Sequence, residues 1–292
     1  MIPRDILRTV RRIEIRTSRV VTESLAGRYH SVFRGRGVEF SEVREYAPGD
    51  DARSIDWNVT SRMGQPYIKT FVEERELTVL LVVDISASAG FGTAGRLKSE
   101  VAAEVAAVIA FAAIRNLDRV GLLLFSGGVD LFLPPGRGIE HVLRVVREVL
   151  VRRPAAGGTG LGRALDTLAR LQRRRGVVFI ISDFLDTDWE AALGRLARRH
   201  DVIAVTVEDR LESALPRAGL IRLVDAETGG TRVVDTASAR VRRVYAERAA
   251  ARLEALAGTL SRAGVDRIRL RTDQPWERPL VQFFRRRERR RR

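Results

Sequence analysis

The chain contains no cysteine, which excludes disulfides, thiolate catalysis and cysteine-type zinc sites. Histidine is nearly as scarce. Only His30, His141 and His200 occur, and none stands at an expected strand end near a candidate nucleophile, so a serine hydrolase would lack its base. No apolar run approaches the ~18 residues that a membrane-spanning helix requires. Arg4, Asp5, Arg8, Arg11 and Arg12 occupy the segment where a signal peptide would carry its apolar region. The phosphate-binding pattern G-x-x-x-x-G-K-[ST] is absent, so the chain is not itself a P-loop ATPase. These absences predict a soluble, cytoplasmic protein.

There is ample material for a core. Of the 292 residues, 45% are apolar, enough for one large α/β domain and something smaller. Charge is biased in kind: Lys69 and Lys98 are the only lysines, and arginine supplies the rest of the basic excess behind a net charge of +15. Residues 285–292, with seven arginines and one glutamate, hold +6 of it. Such a tail suits peripheral contact with anionic membrane, an acidic partner or RNA, and equally a plain solvated end.

The organising stretch is Leu77–Ser88, L-T-V-L-L-V-V-D-I-S-A-S. An unbroken apolar run of this length reads as a strand buried on both faces of a parallel sheet. It ends at Asp84, with Ser86 and Ser88 following at alternate positions. Downstream, strand and helix patterns alternate: a helix over 95–116, strands at 120–125 and 129–133, a helix over 139–152, a helix ending at Arg174, and a strand at 176–182. A helix over 188–199, strands at 202–207 and 220–224, and a long helix over 238–262 complete the series. The expected fold is α/β, a doubly wound and mostly parallel sheet flanked by helices. Before it, a short helix is expected over 4–16. Residues 17–76 read as a small β-rich extension, with short strands near Val38–Phe40 and Tyr67–Val72 and a turn at Pro48-Gly49-Asp50. The expected organisation is thus an extension at 1–76, the main domain at 77–270 and a basic tail at 271–292. In the extension, Arg44, Asp50, Asp51, Arg53, Asp56 and Glu74 read as an arginine–carboxylate network with Trp57 as its apolar anchor.

In such sheets ligands bind outside the carboxyl ends of the strands. Asp84 falls there, and so does Asp183 after V-V-F-I-I-S, while Thr159 lies in a glycine-rich loop, A-A-G-G-T-G. Should these loops share one sheet edge, Asp84, Ser86, Ser88, Thr159 and Asp183 converge as oxygen donors. Hard oxygen ligands suit Mg²⁺ or Mn²⁺. Ser86, Ser88 and Thr159 would bind directly and the two carboxylates through water, leaving one position open to an incoming carboxylate.

Asp84-x-Ser86-x-Ser88, Thr159 and Asp183, in that order on successive loops, resemble the metal-ion-dependent adhesion site of von Willebrand factor A domains. The resemblance implies metal-mediated binding of a partner's Glu or Asp rather than catalysis. Ala89 departs from the bulky residue often found there, at a position that is not a ligand. The preceding segment, R-G-R-G-V-E-F-S-E-V-R-E-Y-A-P-G-D-D-A-R-S-I-D-W-N with K-T-F-V-E-E-R-E, resembles a bacterial family catalogued as domain of unknown function 58. That family joins this segment to a von Willebrand A domain and is associated with MoxR-type AAA+ ATPases. The implied role is an adaptor that acts with such an ATPase, its protein client, or both, in assembling or maturing protein complexes.

Other readings carry less. Gly90-x-Gly92-x-x-Gly95 has the glycines of a dinucleotide loop, but Asp84–Ala89 separate it from the strand and the next strand lacks its terminal acid. A metal-dependent phosphoester hydrolase could use the same loop, yet no second carboxylate cluster or general base accompanies it. Nucleic-acid binding through the arginine tail rests on charge alone.

Overall fold

A computed structural model describes residue 29 and residues 32–33, 39–72, 76–153 and 158–291. The helix expected over 4–16, and His30, Val38, Glu74 and residues 154–157 of the glycine-rich loop, lie outside the described residues. The chain divides into two compact units, Phe33–Leu77 and the remainder.

In the smaller unit, β1 (Glu39–Glu45) pairs antiparallel with β2 (Tyr67–Val72). Between them lie a 3₁₀ turn at Ala52–Ser54 and helix α1 (Trp57–Met63). The Asp56 carboxylate caps α1 by accepting from the Asn58 N–H at 3.0 Å, and Gly64 ends it at φ 75°. Arg44 grips Asp50 with two bonds of 2.7 and 2.9 Å, and Asp51 accepts from Arg53. Hydrogen bonds from Arg44 hold the Asp50 carboxyl below its usual range. Trp57 is not the anchor expected: it is 70% exposed, whereas Ile68 is buried.

The larger unit is built on a six-stranded sheet of order β10-β7-β6-β3-β4-β5. Its strands are β3 (Thr78–Asp84), β4 (Arg119–Phe125), β5 (Val129–Gly136), β6 (Val177–Ser182), β7 (Asp201–Glu208) and β10 (Asp266–Arg271). All neighbours are parallel except β4 and β5. The helices are α2 (Lys98–Arg115), α3 (Gly138–Val151), α4 (Leu161–Leu171), α5 (Glu190–Arg199), a turn α6 (Arg210–Ser213), α7 (Ala239–Arg262) and α8 (Glu277–Arg291). Leu80 and Val82 of β3 join Leu123, Phe125, Val178 and Ile180 in a core roofed by α4, α5 and α7. Successive side chains of a strand point to opposite faces, so Val79, Leu81 and Val83, all fully buried, serve the other face. The alanine- and valine-rich α2 packs against the sheet and α3. It is apolar nearly all round, and most of its residues are buried.

Two expectations change. Leu220–Val224 forms β8, which leaves the sheet and pairs with β9 (Thr231–Asp235) as a separate antiparallel hairpin; the sixth strand of the sheet is β10 instead. The segment from 271 onward is no loose tail but the end of the same unit. Trp276, Leu280, Phe283 and Phe284 of this segment are buried, at the i, i+4, i+7, i+8 spacing of one helical face. Arg287 ion-pairs with Asp201 and Asp266.

Candidate functional site

The chain leaves β3 to build β4 and β5 on one side, then returns to lay β6 on the other. Beyond the carboxyl end of β3 the strand order reverses, and a crevice opens at such a point. Asp84 closes β3 there, 4% exposed. Its Oδ1 accepts from the Ser86 N–H at 2.9 Å and its Oδ2 from the Ser182 hydroxyl at 2.7 Å. Burial, then the neighbouring charge of Asp183, pushes its carboxyl up to about 6 against the pull of the serine bonds.

Each expected residue is placed by an identifiable device. Behind Asp84 the chain enters a 3₁₀ turn at Ala87–Gly90, which sets the Ser86 and Ser88 hydroxyls 3.1 Å apart. Thr159 is fixed through Gly160, whose N–H donates to the Ser126 carbonyl at the end of β4, 2.6 Å away. A Cβ on Gly160 would sit 2.6 Å from the Gly127 carbonyl oxygen, so only glycine allows this approach. The same loop is tied to the β6 end by Asp186, which accepts from the Leu161 N–H at 2.8 Å. Asp183 follows β6 directly, and the next residue, Phe184, is held at φ 56°, a conformation uncommon for non-glycine residues. Phe184 is nevertheless secured, since its N–H donates to the Ser182 hydroxyl and its ring packs edge-on against Trp189.

Three further residues complete the cluster. Lys98, the first residue of α2 and 2% exposed, donates to Asp183 Oδ2 and Glu212 Oε1, each at 2.6 Å. Burial alone would push the ammonium down; the charges of Asp183 and Glu212 outweigh it and hold the group above its usual value. Glu227 arrives from the tip of the β8–β9 hairpin. Its Oε1 accepts from the Ser88 N–H at 3.1 Å and from the Thr159 hydroxyl at 3.2 Å. Asp225 shapes that tip by accepting from the N–H groups of Glu227 and Thr228, both at 2.9 Å. Spacing along the sequence cannot reveal these partners, because Glu227 meets Ser88 across 139 residues. The only available signal was the turn chemistry of D-A-E-T-G-G between two short alternating runs.

The donors are three hydroxyls and a set of carboxylates. Among the described residues no group of three or more His, Asp or Glu forms a conventional ligand cluster, so any cation here would rely on serine and threonine oxygens. Those oxygens fit a small hard ion: Mg²⁺–oxygen distances of about 2.1 Å put adjacent octahedral ligands about 3 Å apart, close to the 3.1 Å between Ser86 and Ser88. Charge is partly balanced within the cluster: Lys98 pairs with Asp183 and Glu212, and Arg252 reaches the Glu212 carbonyl at 3.4 Å. Among the described residues no histidine joins it. His141 bonds to the Val120 carbonyl and His200 to the Gly176 N–H, both at the amino ends of strands on the opposite edge. The glycine-rich 90–95 loop has a structural role, with Thr93 donating twice to Asp209.

Among solved structures, the chain is similar to BatB from Bacteroides thetaiotaomicron, at 15% identity and TM-score 0.44, over 73% of this chain and 99% of that one. It is also similar to the von Willebrand A domain of SpRpn10, at 12% identity and TM-score 0.39, over 71% of this chain and 95% of that one. The fold itself rests on the strand order and flanking helices described above, a mostly parallel six-stranded sheet between helices. Among the described residues no helix is long and apolar enough to cross a membrane. In sequence, the uncharacterized protein Rv1480 of Mycobacterium tuberculosis is 36% identical over 277 residues, which is 94% of this chain and 87% of that protein. The family described as protein of unknown function DUF58 matches residues 42–255; spanning most of the chain, from the antiparallel pair through the crevice to the last long helix, that match establishes that the chain belongs to this family.

Proposed function

We propose that this protein is a non-enzymatic adaptor that grips an acidic side chain of a partner through a Mg²⁺ or Mn²⁺ ion held at the crevice. Ser86, Ser88 and Thr159 would hold the ion directly. Asp84 and Asp183 would hold its waters and balance its charge. The observation that carries the reading is that a carboxylate oxygen already rests between Ser88 and Thr159, so the site accepts a group of this chemistry. When bound, the ion supplies an electrophilic position for a carboxylate. The chain's own residues do the rest: the Ser182 hydroxyl and Ser86 N–H orient Asp84, and Lys98 fixes Asp183. Because the direct donors are neutral hydroxyls, the ion keeps its attraction for an external anion.

The family resemblance supplies the partner in this reading, a MoxR-type AAA+ ATPase, its client, or both. Affinity capture of that ATPase from native extract tests it, in Mg²⁺ and in EDTA, beside the Ser86→Ala/Ser88→Ala variant. Retention by the wild type in Mg²⁺ alone is the expected result. Equal retention by the variant, or in EDTA, would move the partnership to another surface and refute the metal bridge.

A further inference from the structure

We propose that Glu227 is a tethered internal ligand of the crevice, seated where a partner's carboxylate would bind, so that the β8–β9 hairpin competes with that partner. The inference rests on the carboxylate-gripping reading above and adds a residue and a control to it.

The geometry sets Glu227 apart from its neighbours. Across the tip, Asp225–Gly230, it alone is not exposed, and its Oε1 takes bonds from two separate loops of the site, Ser88 N–H and Thr159 Oγ1. A glutamate at an exposed hairpin tip is best hydrated in solvent. Here it turns into the crevice instead and gives up part of that hydration for bonds to two loops of the site. The Ser88 N–H and the Thr159 hydroxyl replace part of the lost hydration, and a cation held by the neighbouring hydroxyls would add a direct attraction.

The hairpin is fastened at its base and lightly supported beyond it. Its base is pinned: Thr236, fully buried, bonds to the Gly219 carbonyl through both its N–H and its hydroxyl, at 2.8 and 2.7 Å. Arg242 adds bonds to the Thr236 and Ala237 carbonyls. Beyond the base, among the described residues, β8 and β9 pair only with each other, and Leu220, Val224 and Val233 are exposed at 74%, 62% and 64%. A lone two-stranded hairpin is marginally stable by itself. A ligand tethered in this way acts at an effective concentration in the millimolar range, enough to hold off weak anions and to yield to a partner that adds contacts of its own.

The test uses the full chain, Mn²⁺ as the probe ion, and acetate as the probe carboxylate. Water-proton relaxation reports both Mn²⁺ binding and the fast-exchanging waters on the bound ion. Wild type, Glu227→Gln and Ser86→Ala/Ser88→Ala are compared. The expected result is Mn²⁺ binding by wild type and Glu227→Gln but not by the double-serine variant, with higher relaxivity per bound ion in Glu227→Gln. Acetate should quench that gain at a concentration at least about tenfold below any effect on wild type. Amide exchange at residues 225–230 should slow on Mn²⁺ addition in wild type and not in Glu227→Gln. Equal relaxivity, acetate response and tip exchange in the two proteins would overturn the internal ligand while leaving the metal site standing. Failure of wild type to bind Mn²⁺ at all would overturn the metal-bridge reading, and the internal ligand with it.

Discussion

Lys98→Met is the sharpest test of how the crevice is held together. Methionine preserves the length and apolar stem of the side chain and removes only the ammonium. That ammonium stands 2.6 Å from Asp183 and 2.6 Å from Glu212, with side-chain exposures of 3% for the lysine, 5% for the aspartate and 18% for the glutamate. Surface ion pairs contribute about 0–1 kcal/mol, whereas removing one partner of a buried pair costs about 3–5 kcal/mol because a charge is stranded without water. Glu212 lies nearer the rim and can rehydrate; Asp183 cannot. The loss should therefore fall near the lower end, about 3 kcal/mol. Urea unfolding at neutral pH in EDTA measures it, with the buried Trp189 and Trp276 as fluorescent reporters of the α/β unit. Lys98→Met/Asp183→Asn should recover most of the loss, since no charge is then stranded. If the crevice holds a divalent cation, Mg²⁺ should stabilise Lys98→Met more than wild type, because ammonium and cation draw on the same negative charge. A loss below about 1 kcal/mol, or a double variant no better than the single, would refute the argument that Lys98 neutralises a buried aspartate.

Two further outcomes are expected. Phe284→Ala should cost about 3–5 kcal/mol in the same urea experiment, since Phe284 is 2% exposed and packs on Tyr29 and Phe283; unchanged stability would mean that α8 is dispensable to the fold. Asp209 is buried, and burial opposes its ionisation, but bonds from Thr272, Thr93 and the Leu211 N–H outweigh this and hold its carboxyl below the usual 3.8. Its folded value is depressed, so its contribution is complete above pH 3.8 and drains away as pH falls towards the folded value. Asp209→Ala should flatten the acid limb of a stability–pH curve, and an identical acid limb would contradict the assignment.

Legibility in the sequence followed burial. Strands β3, β4, β6 and β7 are continuous apolar runs because both faces are covered, and they stand out from their surroundings. Strand β10, D-R-I-R-L-R, escapes the same reading because it lies at the sheet edge. Only Ile268 and Leu270 turn into the core, while Arg267 and Arg269 both bond to Glu208. In α8 the arginines dominate composition and mask an aromatic stripe of ordinary helical spacing. The placement of Asp84, Ser86, Ser88, Thr159 and Asp183 near strand ends or in a glycine-rich loop is legible from the apolar runs and glycines around them; their use as an ion's ligands belongs to the proposal. Lys98, Glu212 and Glu227 are not legible in this way, because only the folded chain brings them to that edge.

The cluster divides into parts of unequal stability, and that division bears on what it can do. Asp84, Ser86 and Lys98 are buried, and their bonds run to strand ends and helix starts that cannot open without disturbing the sheet. Glu227 is held by one carboxylate oxygen at the tip of a hairpin whose strands form a sheet of their own among the described residues. Local opening draws first on segments with few buried contacts, so the hairpin can release at a free energy far below that of global unfolding. On the proposed reading, a crevice with a rigid floor and a replaceable wall would exchange one carboxylate for another without rebuilding itself. The adaptor role proposed above needs that property, because one carboxylate must give way to another at a site that keeps its shape.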